Sequence, residues 1–208
     1  MQRKTFMMRA LPGKKGELES KLREIELNLL QDVQNHRMDN FSVWNIEDLY
    51  LGYGEYADND ESACSIWNKL SEELKNCAEI LCPLGTMRLM YHCYGIVRQD
   101  KSLIRHRVFA AKLKPGCEEE YKRRHDALVE ARGDQVSDGP ESNFSIWYGA
   151  GYIFGYCERV KAYDREMTEE ERQNTIAWET RQLEIMDWLT DDVDWITGQK
   201  HDAIRRII

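Results

Sequence analysis

What most constrains this chain is a register. Shifted by 103 residues without a gap, its first half superposes on its second: Phe6 falls on Phe109, Pro12-Gly13 on Pro115-Gly116, Glu17 on Glu120 and Val33 on Val136. The same shift places Asn40-Phe41-Ser42 on Asn143-Phe144-Ser145, Trp44 on Trp147, Gly52-Tyr53 on Gly155-Tyr156, and Glu55 on Glu158. Self-similarity at a fixed period implies a module that the chain contains twice, here expected over 1–100 and 104–208. Beyond Glu55 the best match is Trp67 with Trp178, an offset of 111, so the second half carries eight extra residues near 161–174. That strongly charged stretch reads as a solvated loop or helix start, with a partner-binding arm as the other reading.

One module predicts its own elements. Residues 106–113 form a β-prone run ended by the turn signal Pro115-Gly116, and 117–132 read as a helix rich in Glu, Lys, Arg and Ala. Residues 143–160 are two β-prone runs around Gly149-Ala150-Gly151, the signature of a hairpin. A second helix is expected over 174–190, from the spacing of Ile176, Leu183, Met186 and Trp188, followed by a closing strand over Ala203–Ile208. The first half repeats this order with Arg88–Tyr94 as its last strand. The order β-α-β-β-α-β specifies an α+β chain of two ferredoxin-like modules, each with two helices on one face of an antiparallel sheet. One such sheet leaves its other face bare. Two modules can pack sheet against sheet, which predicts a dimeric α+β barrel-type pseudo-dimer within a single chain, monomeric or further paired as a homodimer.

Composition narrows the function. With 29 Lys and Arg against 37 Asp and Glu, the net charge of −8 repels nucleic acid and anionic membranes. No apolar run reaches the ~18 residues of a membrane span, and the N-terminus is too soon charged for a signal peptide, so a cytoplasmic protein is expected. The six cysteines form no CxxC pair and read as reduced thiols rather than metal ligands. Asp58-Asn59-Asp60-Glu61 lacks the glycine and the final glutamate of a calcium loop, and Asp191-Asp192-Val193-Asp194 reads as a solvated turn. His92 reads as structural. The sequon at Asn143 is discounted because it lies in a core strand. No phosphate-cradling loop, nucleophile elbow or dinucleotide fingerprint is present, so no metal and no cofactor are expected.

Polar residues confined to one half need a reason that the shared scaffold does not supply. Tyr121, His125 and Leu128 lie four and three apart and project from one helix face. With Leu128 expected to point at the sheet, a phenol and an imidazole lie on the buried side. At the matching positions the first half has Leu18, Leu22 and Ile25. Each buried polar side chain costs roughly 1–3 kcal/mol if left unpaired, which calls either for local hydrogen bonds or for a ligand. Arg124 reads as a surface residue or a carboxylate partner.

The stretches EYKRRHDAL (120–128) and NFSIWYGAGYIFGYCE (143–158) resemble the L-rhamnose mutarotase family. The first half is similar more faintly, through RKTFMMRALPG, DNFSVWNIEDLYLGYGE and MYHCY. The resemblance implies His125 as proton donor and Tyr121 as a sugar-binding tyrosine. Phe144 takes the place of a second such tyrosine without its hydroxyl. Trp178 matches the first of two tryptophans that wall the sugar, and Glu179 replaces the second. Trp147 is an alternative stacking platform to Trp178. The implied activity is interconversion of the α and β anomers of L-rhamnose or a related aldose. The other readings are a non-catalytic sugar- or small-metabolite-binding protein, and an oxidative or lyase enzyme on the same fold.

Overall fold

A computed structural model describes residues 2–34, 38–56, 60–136, 139–161, 168–190 and 204–208. In chain order the elements are β1 (Gln2–Ala10), α1 (Lys15–Gln34), β2 (Met38–Ile46), β3 (Leu49–Tyr56), α2 (Asp60–Leu74), β4 (Ala78–Cys82) and β5 (Arg88–Cys93). Then follow β6 (Ile104–Leu113), α3 (Glu118–Arg132), β7 (Glu141–Gly149), β8 (Tyr152–Val160), α4 (Glu169–Gln182), β9 (Met186–Thr190) and β10 (Ile204–Arg206). The chain divides into two compact units, residues 1–87 with 203–208, and residues 88–202. No helix among the described residues is long and apolar enough to cross a membrane.

Each unit holds one five-stranded antiparallel sheet, ordered β10-β2-β3-β1-β4 in the first and β5-β7-β8-β6-β9 in the second. Four strands of each follow the ferredoxin-like order, so the α+β reading with two such modules holds. The barrel does not. Both sheets are open, with β10 and β4 or β5 and β9 at their edges, and among the described residues no barrel closes.

Two further expectations change. The second helix of the second unit stops at Gln182, and Met186 and Trp188 lie on β9 instead. Lys114 Nζ donates to the carbonyls of Leu183 and Glu184, at 2.8 and 3.1 Å, and holds the turn that separates helix from strand. The stretch around Arg88–Tyr94, expected to close the first sheet, instead pairs with β7 in the second, while β10 pairs with β2 in the first. β4 and β9 supply the fourth strands in their place. Alternation along a strand encodes which face is buried, not which sheet the strand joins, and that is why the exchange was invisible.

The residues shared across the 103-residue shift have structural jobs. Phe6 lies opposite Gly52, and Phe109 opposite Gly155, in the strand register. A Cβ on either glycine would sit 2.0 Å from the facing ring, so each ring lies flat on bare backbone. Asn40 and Asn143 adopt φ of 50° and 53°, a left-handed conformation that asparagine tolerates, at register shifts in β2 and β7. Their amides donate to Glu55 at 3.0 Å and to Glu158 at 2.9 Å, and the hydroxyls of Tyr53 and Tyr156 donate to the same carboxylates. The Asn143 side chain of the sequon is therefore fully buried within this network. At the β7–β8 hairpin Ala150 and Gly151 both have positive φ, the conformation of the tight turns that match strand twist.

Helix α3 begins with three glutamates and ends with Arg132 before Gly133, charges that complement the helix dipole. Thr168 opens α4 in a capping box with Glu171, so the charged insert does lead into a helix. Its residues 162–167, the acidic run 58–59 and the stretch 191–194 lie wholly or partly outside the described residues.

Candidate active site

The polar face of α3 is buried as its spacing implied. Tyr121 is 2% exposed and His125 4%, and their rings stack with centroids 4.2 Å apart. His125 meets Trp178 of α4 edge-on at 5.3 Å and Tyr91 of β5 at 5.4 Å. Nδ1 of His125 lies 2.9 Å from the carbonyl oxygen of Tyr121, one turn earlier. A carbonyl only accepts, so Nδ1 carries a hydrogen and donates it. In the neutral ring this leaves the lone pair on Nε2, the nitrogen free to exchange protons.

These rings border a cavity of about 280 Å³ between the helices and the sheet of the second unit. That is near the lower end of small-molecule pockets, which run from ~300 to 1,000 Å³. One wall is apolar, built from Phe109, Phe144, Ile146, Met186 and Trp188 on the sheet. The other is polar, with Thr175, Glu179 and Gln182 on α4, and Arg107 and Glu141 on the strands. Leu128 does not point at the sheet as expected. It lines the cavity while remaining 39% exposed, because α3 has by then reached the solvent edge.

The structure brings His125, Tyr121, Phe144, Trp178 and Glu179 to this one space. Trp147 is not there. It follows Ile146 on β7, and strand alternation turns it to the opposite face, where its Nε1 donates to Ser145 Oγ at 3.0 Å. Arg124 is a buried carboxylate partner, donating from Nε to Glu120 at 2.7 Å and from Nη2 to Glu184 at 2.9 Å, and to the Arg181 carbonyl at the end of α4. It ties the two helices together. His92 stacks on Tyr94 at 4.7 Å and its carbonyl accepts from Arg132. Gln182 and Tyr91 were missed. Gln182 lies four residues after Trp178, a helical spacing present in the sequence, whereas Tyr91 enters through the strand exchange.

Burial sets the charge states. It lowers the His125 pKa to about 4, against the opposing pull of the hydrogen bond to Tyr121, so the imidazole is neutral at pH 7. Burial, and then the nearby Glu179 carboxylate, raise that of the Tyr121 phenol, which keeps its proton and can donate a hydrogen bond. The Tyr121 hydroxyl has no hydrogen-bond partner among the described residues. Among those residues no group of three His, Cys, Asp or Glu side chains converges as a metal ion would require.

The arrangement offers a proton-exchanging nitrogen, a phenolic donor and an aromatic wall around a space for one small polar molecule. Neither curated proteins nor solved structures yield a match to this chain. The family model described as L-rhamnose mutarotase matches residues 106–204, which carry every cavity residue except Tyr91. What residues 106–204 resemble is therefore the L-rhamnose mutarotase family.

Proposed function

We propose that the second unit is an aldose mutarotase, an isomerase that interconverts the anomers of L-rhamnose or a related sugar, with His125 moving the proton. The observation that carries this reading is the fixed tautomer of His125. Its Nδ1 hydrogen is committed to the Tyr121 carbonyl, and its Nε2 lone pair belongs to a neutral ring bordering the cavity. Such a ring starts as a base. Nε2 takes the proton of the anomeric hydroxyl as the C1–O5 bond breaks and C1=O1 forms, and the imidazolium so made returns that proton to the ring oxygen. Half a turn about C1–C2 presents the other carbonyl face, and the reverse steps close the opposite anomer. Proton balance needs no further reactant.

Tyr121 supplies a hydroxyl that hydrogen-bonds the sugar, and Trp178 supplies a ring face for its C–H surface. The apolar wall, where Phe144 has no hydroxyl to offer, suits a methyl-bearing deoxyhexose better than a fully hydroxylated one. Six free thiols fit a reducing, cytoplasmic setting. Saturation-transfer NMR on L-rhamnose and related sugars tests the reading: catalysed exchange between anomers is expected, and its loss in His125→Asn. Calorimetric binding without exchange would instead make the unit a sugar-binding protein.

A further inference from the structure

Gln182 is 2% exposed and lines the cavity, yet neither Nε2 nor Oε1 of its side chain has a hydrogen-bond partner among the described residues. Buried polar groups in folded proteins are almost always paired. A primary amide presents donors and an acceptor side by side, so both functions being unmet marks a place where a ligand with both should sit. Four residues after the matching tryptophan of the first unit, Trp67, stands Ser71, whose hydroxyl is satisfied within its own helix by the Asn68 carbonyl at 3.1 Å. No such local solution serves Gln182.

We propose that Gln182 is a specificity-determining residue that reads two adjacent hydroxyls of the bound sugar, donating from Nε2 to one and accepting at Oε1 from its neighbour. The inference rests on the sugar reading above and narrows it. The ligand is a ring with a free vicinal diol remote from the anomeric carbon, and a ring lacking either hydroxyl is rejected. Helix geometry supports this placement. Trp178 and Gln182 stand about one turn, ~6 Å, apart on the same face of α4, so a ring lying against Trp178 has His125 beside it and Gln182 farther along the helix. Glu179, between them, can only accept hydrogen bonds as a carboxylate. Gln182 is the cavity side chain of α4 that offers an amide donor and an acceptor to neighbouring hydroxyls.

The test uses the full-length chain, isothermal calorimetry, saturation-transfer NMR, and a panel of L-rhamnose with related hexoses. The tightest-bound sugar is then compared with its single-deoxy analogues, each lacking one ring hydroxyl. In the wild type, two analogues deoxygenated at adjacent carbons should bind about tenfold or more weakly, and the others should bind nearly as well as the parent. Gln182→Met, which keeps the volume of the side chain, should weaken the parent sugar by about 10–100-fold and bind those two analogues no worse than the wild type does. If Gln182→Met fails to fold, the wild-type ranking decides alone. Uniform tolerance of every analogue, or losses at non-adjacent positions, overturns the role of Gln182. So does a folded Gln182→Met with unchanged affinity, and in these cases the mutarotase reading stands if exchange is catalysed. A wild type that neither binds nor exchanges any sugar of the panel overturns both.

Discussion

On the inner face of α1 stand Leu18, Leu22 and Ile25, exposed by 0, 0 and 4%, whereas α3 places Tyr121, His125 and Leu128 at the matched positions. Around them the ring spacing is kept while the ring orientation changes. Phe6 and Phe41 lie 6.2 Å apart and stacked at 26° in the first unit, and Phe109 and Phe144 lie 6.3 Å apart and edge-on at 71° in the second. In the first unit Phe41 and Trp67 pack against a core that includes Leu18 and Leu22, and Phe6 meets Trp67 at 5.1 Å. In the second, the corresponding space is the cavity. Leucine thus suffices for this helix–sheet contact in the first unit, whereas the second places a phenol and an imidazole at the same positions. A polar pair retained where an apolar one would stabilise the fold is what a binding or catalytic site demands.

Giving the second unit the residue of the first should produce the largest effect. His125→Leu should leave the sheet folded and lower catalysed anomer exchange by about 10²–10⁴-fold, the usual contribution of a positioned acid–base group, as read by saturation-transfer NMR. A folded variant with unaltered exchange sinks the role of His125. The reverse change, Leu22→His, puts an imidazole into an apolar core without a prepared partner. It should destabilise the chain by about 3–5 kcal/mol in urea unfolding, whereas a small effect would show that the first unit can accommodate what the second was built for.

Acid sharpens the comparison further. The folded pKa of His125, about 4, lies below its ordinary 6.5, so between those values the unfolded chain binds a proton that the folded chain refuses. The associated stability is complete above pH 6.5 and is lost as the pH falls toward 4, by roughly 3 kcal/mol in total. Subtracting the pH profile of His125→Leu from that of the wild type isolates it, and a flat difference would contradict the buried neutral ring. The smallest effect belongs to a feature that the units share. Lys21 and Arg124 occupy matched positions, and each donates to a carbonyl at the end of the second helix of its unit, Glu73 or Arg181. Arg124→Lys should therefore cost only about 1 kcal/mol, since the carboxylates it leaves are partly solvated, and should leave anomer exchange intact.

Much of the site was legible because it sits on elements with strong local signals. Pro115-Gly116 fixes where α3 begins, Gly149-Ala150-Gly151 fixes the hairpin, and a four-residue spacing fixes that Tyr121 and His125 share a face. Trp147 was a misreading that alternation could have prevented, since three residues separate it from Phe144 along a strand and the two cannot share its face. The α4–β9 boundary was harder. Met186 and Trp188 are two apart, a strand period, but Leu183 and Ile176 upstream drew them into a helical pattern. Tyr91 was beyond reach in principle, because its place beside Ile146 depends on which sheet β5 joins.

That strand exchange has a consequence for how the protein is made. Along the sequence the second unit is an insertion within the first, since the chain leaves the first unit after residue 87 and returns to it only at 203. During synthesis the outer edge of β2 gains its strand partner β10 only after the whole second unit has emerged. The first sheet is thus closed only after the second unit is made, and the ribosome must deliver residues 88–202 before β10 can join β2.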